Sequence, residues 1–150
     1  MKGPYTDQVQ SALQYARKAA LDCRQNYVGT EHLLVGLIHE KKGAAGIILL
    51  EQGIDEKKLM MQIDRFISPQ SDVMLDSTQT YSPRAKQILE NSKNEAKHFR
   101  SEEAGTEHVL IAMLKETDCV GTRLLHTMGV NIQKLYGEIL TAMGLEPNAV

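Results

Sequence analysis

The tetrapeptide Gly-Thr-Glu-His stands at residues 29–32 and again at 105–108, an offset of 76 residues. Held at that offset without a gap, residues 5–66 lie against 81–142 with 15 identities in 62 pairs. Tyr5 meets Tyr81, Thr6 meets Ser82, Leu34 meets Leu110, Gly53 meets Gly129 and Ile63 meets Ile139. Most other apolar positions stay apolar. A register kept over this length marks an internal duplication. The period is too long and the copies too few for a solenoid, so the chain is expected to form a pseudo-twofold domain.

Each copy reads as four helices. Val9, Ala12, Leu13, Ala16, Ala20 and Cys23 recur at helical spacing on one face, and Ala85, Ile88, Leu89, Ser92, Ala96 and Phe99 repeat that face. Thr6 and Ser82 are N-cap residues, and Pro83 suits the first helical position. The second helix opens at Gly-Thr-Glu-His and carries Leu33, Leu34, Leu37 and Ile38, matched by Val109, Leu110, Met113 and Leu114. The third covers about 44–52 and 120–128 and stops at Gly53 and Gly129. The fourth follows caps at Asp55 and Asn131, with Leu59, Ile63 and Phe66 in one copy and Leu135, Ile139 and Leu140 in the other. Residues 68–80 are rich in Ser, Thr, Asp and Gln and read as a linker. No segment sustains strand alternation. The expectation is therefore one all-α domain of two packed four-helix repeats, about 4–67 and 81–143.

Within the tetrapeptide, Gly29 permits a tight turn, Thr30 can cap its own helix, and Glu31 in the first turn is favoured by the helix dipole, by roughly 0.3–1 kcal/mol. His32 and His108 read as packed, hydrogen-bonded imidazoles, because a metal site needs several convergent ligands and each copy repeats only one His. Capping alone does not demand glutamate. A carboxylate beside a helix N-terminus can hold a guanidinium, while the neighbouring N–H groups and cap hydroxyls suit an anion. A ligand with both charges would satisfy both halves of such a site.

Composition narrows the function. The net charge is −2, which gives no electrostatic reason to expect nucleic acid or an anionic membrane as partner. No apolar run approaches the roughly 20 residues that span a bilayer, and MKGPYTDQ lacks a signal-peptide core, so the expected compartment is the cytoplasm. Cys23 and Cys119 form no C-x-x-C pair; two free thiols are the reading for that compartment, with a disulfide left open by sequence. Phosphate-loop, nucleophile-elbow and H-E-x-x-H motifs are absent, and the chain is read as non-enzymatic, without cofactor or metal. Met60, Met61 and Met113 read as core gap-fillers.

The stretches YTDQVQSALQYARKAA, NYVGTEHLLVGLIHE, YSPRAKQILENSKNEA and GTEHVLIAMLKE resemble the N-terminal double Clp repeat of Clp/Hsp100 unfoldases, closest to the ClpC type. The resemblance covers about residues 4–143. It implies an all-α pseudo-twofold module that sits on an AAA+ ATPase ring, receives adaptor proteins and substrates, and serves a Clp-type partner protease. It also implies phosphoarginine recognition, with Glu31 and Thr6 as one site and Glu107 and Ser82 as the other. Tyr5, Tyr81 and Lys86 would belong to an adaptor or peptide surface. The isolated domain is expected to be monomeric. A short stand-alone regulator that competes with a full-length unfoldase for adaptors is the alternative. Two departures from the family pattern stand out. Glu102-Glu103-Ala104 replaces the family's Tyr or Asn with Val or Ile before the second tetrapeptide, and each exposed carboxylate there would repel a phosphate by several tenths of a kcal/mol. Thr6-Asp7-Gln8 stands where the family often has a more basic or mixed run.

Overall fold

The computed structural model describes residues 3–67 and 80–145. Among them are eight helices: α1 (Asp7–Asp22), α2 (Thr30–Glu40), α3 (Ala44–Glu51), α4 (Glu56–Phe66), α5 (Pro83–His98), α6 (Thr106–Lys115), α7 (Val120–Thr127) and α8 (Ile132–Ala142). The caps predicted at Thr6, Ser82, Asp55 and Asn131 hold. The hydroxyls of Thr6 and Ser82 accept from the N–H groups of Val9 (3.2 Å) and Ala85 (3.1 Å). Asp55 and Asn131 accept from Lys58 (2.7 Å) and Lys134 (3.0 Å). Gly53 and Gly129 lie just past α3 and α7 with φ of 81° and 88°, the left-handed conformation that glycine tolerates best.

The core is built round α2 and α6. Leu33, Leu34, Leu37 and Ile38 are buried, as are Leu110, Ile111, Met113 and Leu114. A helix apolar on every side must be enclosed on every side, and other helices surround both. The third helices do this across the repeat boundary. α3 packs on α6 and α8 of the second repeat, and α7 packs on α2 and α4 of the first. Small residues on α1 bring it close to α2: a Cβ on Gly36 would overlap the Ala12 carbonyl.

Three local expectations change. Phe66 and Met61 are 56% and 62% exposed, so the apolar face of α4 buries only Leu59 and Ile63. Two short strands are present, β1 (Tyr27–Val28) and β2 (Thr80–Tyr81), paired in parallel with Tyr27 opposite Thr80 and Val28 opposite Tyr81. Two residues cannot show alternation, so sequence gave no sign of them. Of the predicted linker, residues 68–79 lie outside the described residues, and Thr80 belongs to β2.

The last change concerns Thr30. Gly29, not Thr30, is the N-cap of α2. The Thr30 hydroxyl instead accepts the N–H of Gly121 (2.9 Å), in the first turn of α7. Reciprocally, the Thr106 hydroxyl accepts the N–H of Ala45 (3.2 Å), in the first turn of α3. Neither α3 nor α7 is capped by its own preceding residue, Gly43 or Cys119. At Gly43 a Cβ would overlap the Thr106 side chain. Each repeat therefore caps the third helix of the other.

Thr30→Val should leave the Gly121 N–H buried without a partner and destabilise the chain by about 1–2 kcal/mol. Hydrogen exchange should accelerate first at Gly121 and the α7 amides, 90 residues away in sequence. Acceleration confined to the first turn of α2 would show that Thr30 caps its own helix.

Candidate functional site

Two pockets of nearly equal size, about 520 and 510 Å³, open at the two tetrapeptides. Their walls come from both repeats, because the chain crosses before each helix start. The Ser82 N–H donates to the Val28 carbonyl (2.9 Å), which lays the start of α5 beside the start of α2. The Thr6 N–H donates to the Ala104 carbonyl (3.0 Å) and the Ala104 N–H to the Pro4 carbonyl (2.8 Å), which lays the start of α1 beside the start of α6. Glu31 therefore shares the first pocket with Ser82, and Glu107 shares the second with Thr6. The pairing expected from the sequence, Glu31 with Thr6 and Glu107 with Ser82, is reversed. Repeats that exchange their leading segments must pair their residues across.

The tetrapeptide has the same geometry in both copies. Gly29 and Gly105 are extended, with φ of −92° and −93°, so neither is there for a special turn. Each makes space: a Cβ on Gly29 would overlap the folded-back carboxylate of Glu31, and one on Gly105 that of Glu107. His32 Nδ1 accepts the Gly29 N–H (2.9 Å), and His108 Nδ1 accepts the Gly105 N–H (2.9 Å). Histidine thus occupies the N3 position and does what Glu or Gln does in a capping box. The bond requires an unprotonated Nδ1. Burial lowers the His32 pKa from 6.5 to about 4. It lowers that of His108 too, against the opposing fields of Glu107 and Glu95.

The pockets differ in their charge. In the first, Glu31 is 3% exposed, and burial raises its pKa although its own backbone N–H bonds the carboxylate. Tyr27, Tyr81 and the Ser82 cap line the same space. So does Arg84, whose guanidinium holds Asp118 through two bonds, of 2.7 and 3.4 Å, with Glu116 at 3.5 Å. In the second, Glu102 and Glu103 join a half-buried Glu107, and Gln8 stands where the repeat offset places Arg84 in the first. Among the described residues, no Lys or Arg lines the second pocket. The two departures noted in the sequence, at Glu102-Glu103 and at Gln8, thus fall on one pocket and leave the other intact.

The expected surface residues are dispersed. Tyr81 lines the first pocket and has the Arg17 guanidinium 5.0 Å from its ring centroid. Tyr5 donates its hydroxyl to the Leu89 carbonyl (3.1 Å) and lines neither pocket. Lys86 is exposed and lines neither; the pocket cation is Arg84, two residues earlier on α5. Its signal in the sequence was the Pro-Arg step that opens α5. Both cysteines are free thiols. Cys119 is buried and lines the first pocket, whereas Cys23 is half-buried with its pKa pushed up to about 11, chiefly by burial. No group of three or more His, Cys, Asp or Glu is placed to hold a metal ion among the described residues, and no described helix is long and apolar enough to cross a membrane.

A sequence model described as the Clp repeat (R) N-terminal domain matches residues 4–128 and 80–150. The chain is 33% identical over 144 residues to the negative regulator of genetic competence ClpC/MecB of Bacillus subtilis. That match covers 96% of this chain and 18% of the relative, so the chain spans less than a fifth of its length. In structure it is similar to the N-terminal domain of the chaperone ClpD of Arabidopsis thaliana, with a TM-score of 0.80 at 22% identity, covering 94% of this chain and 95% of that one. It is also similar to the ClpV N-domain solved in complex with a VipB peptide, with a TM-score of 0.69 at 17% identity, covering 92% and 88%.

The buried histidines set a pH dependence. His32 binds its proton less readily folded than unfolded, so its contribution to stability is present above about pH 6.5 and is lost as pH falls towards 4. The full loss is roughly 3 kcal/mol, at about 1.4 kcal/mol per pH unit. The raised pKa of Glu31 acts in the opposite sense. Denaturant titrations at pH 7 and pH 5 should show a smaller loss for His32→Gln than for the parent, because Gln keeps the box acceptor without titrating here. Equal losses would contradict the assignment.

Proposed function

The chain belongs to the Clp repeat N-terminal domain family, and on that premise we propose that it is the docking module of a ClpC-like AAA+ unfoldase. It receives adaptor proteins and protein substrates for a threading ring and a Clp-type protease, and carries out no catalysis itself. The solved ClpV N-domain complex with a VipB peptide supports peptide capture as something this fold can do. The described lining residues join a buried carboxylate to hydroxyls and a guanidinium, a set suited to binding a ligand of mixed charge.

The sharper part of the proposal is phosphoarginine recognition in the first pocket. The observation that carries it is the presence of opposite charges in one cavity. Glu31 offers a buried carboxylate for a guanidinium, and a desolvated pair of this kind is stronger than one in water. Ser82, the start of α5 and Arg84 offer donors to a phosphoryl group. Burial raises the Glu31 pKa, and an incoming guanidinium would favour the charged form. Among the described residues the second pocket holds three carboxylates and no Lys or Arg, so it repels the phosphoryl end of the same ligand.

Calorimetric titration with free phosphoarginine should therefore give one site per chain, not two. Glu31→Ala should reduce affinity at least tenfold, the scale of a charged hydrogen-bonded pair, while Glu107→Ala leaves it within a factor of two. Two equivalent sites, or unchanged affinity in Glu31→Ala, would sink the reading.

A further inference from the structure

Among the described residues Arg84 is the single Lys or Arg lining the first pocket, yet its guanidinium is already engaged by Asp118. Asp118 sits in the α6–α7 loop and is 74% exposed at its side chain. Its side chain does not cap α7. Cys119, not Asp118, stands at the N-cap of α7, and the α7 start is held by Thr30 from the other repeat. The pair does not recur in the first repeat, where the offset places Gln8 and Lys42 at these positions.

The other donors at the α5 start are few. Pro83 has no N–H, and the Ala85 N–H is taken by the Ser82 hydroxyl. Among the described lining residues Arg84 is the one that brings positive charge to an anion beside the Ser82 hydroxyl. A carboxylate that grips a guanidinium through two oxygens offers it the same geometry as a phosphoryl group. An exposed pair of this kind is weak and easily exchanged.

We propose that Asp118 is a built-in competitor for the anionic group of the ligand: a phosphoryl group entering the first pocket takes its place on Arg84, and the displaced carboxylate turns to solvent. Asp118 thereby sets a threshold. A ligand with a single weak negative charge gains little over Asp118, whereas a phosphoryl group displaces it. Glu116, at 3.5 Å, steadies the guanidinium while the exchange takes place. The inference rests on the reading that this pocket accepts an anion beside Glu31.

Inorganic phosphate serves as the probe, followed by the NMR signals of the Arg84 guanidinium and the Asp118 carboxyl in the whole chain. Phosphate should shift both together, and Asp118→Asn should tighten its binding about two- to fivefold, the range expected for loss of an exposed competing pair. Arg84→Gln, which copies the second pocket, should abolish the response. Equal or weaker phosphate binding in Asp118→Asn overturns the proposal, as does a phosphate response that leaves the Asp118 signal unmoved. Phosphoarginine is titrated in parallel. If it binds no tighter than phosphate while the exchange is seen, the phosphoarginine reading fails and the competitor role stands. If it binds the parent and Asp118→Asn equally, the competitor role fails and the reading stands. Absence of response to either anion overturns both.

Discussion

Two hydroxyl groups lock this domain together. Thr30 of the first repeat caps α7 of the second, and Thr106 of the second caps α3 of the first. A helix start without a partner leaves buried donors unpaired, so neither α3 nor α7 is complete within its own repeat. The hydroxyls are 3% exposed or less by residue, so water is excluded from replacing them. That constraint holds the third helices across the boundary, and their packing encloses α2 and α6. Separate backbone bonds, Ser82 to Val28 and Thr6 to Ala104, lay the leading segments of the two repeats side by side and form the pockets.

The repeated tetrapeptide is accounted for residue by residue. Glycine leaves room for a carboxylate to fold back. Threonine reaches into the other repeat. Histidine accepts the glycine N–H and stays neutral because it is buried. Glutamate is the residue whose place in the fold is explained least by capping and most by the cavity it borders. Its two copies have also diverged most in their surroundings: Tyr27 stands where the other copy has Glu103, and Arg84 where the other has Gln8.

What sequence made legible was what short-range rules control. The helices, the caps at Thr6, Asp55, Ser82 and Asn131, and the stop signals at Gly53 and Gly129 all depend on residues within one turn of each other. The duplication and the family followed from the register. Sequence misplaced what depends on contacts between repeats. Thr30 looked like a cap for its own helix because its true partner, Gly121, lies in the other repeat. The pockets were paired wrongly because a two-residue strand pairing, too short to leave a pattern, decides which helix start faces which glutamate. Lys86, expected at a peptide surface, lies outside the pocket and Arg84 lines it, because the direction of a side chain is not legible along a helix.

Crossed pairing is the claim on which the functional account turns, and a double-mutant cycle on phosphoarginine affinity tests it most directly. Glu31→Gln is combined with Arg84→Gln in one cycle and with Thr6→Val in another. Residues that share a site should couple by at least about 0.5 kcal/mol, and distant ones should add. The account predicts coupling between Glu31 and Arg84 and additivity between Glu31 and Thr6. Coupling of Glu31 to Thr6, with none to Arg84, would contradict it.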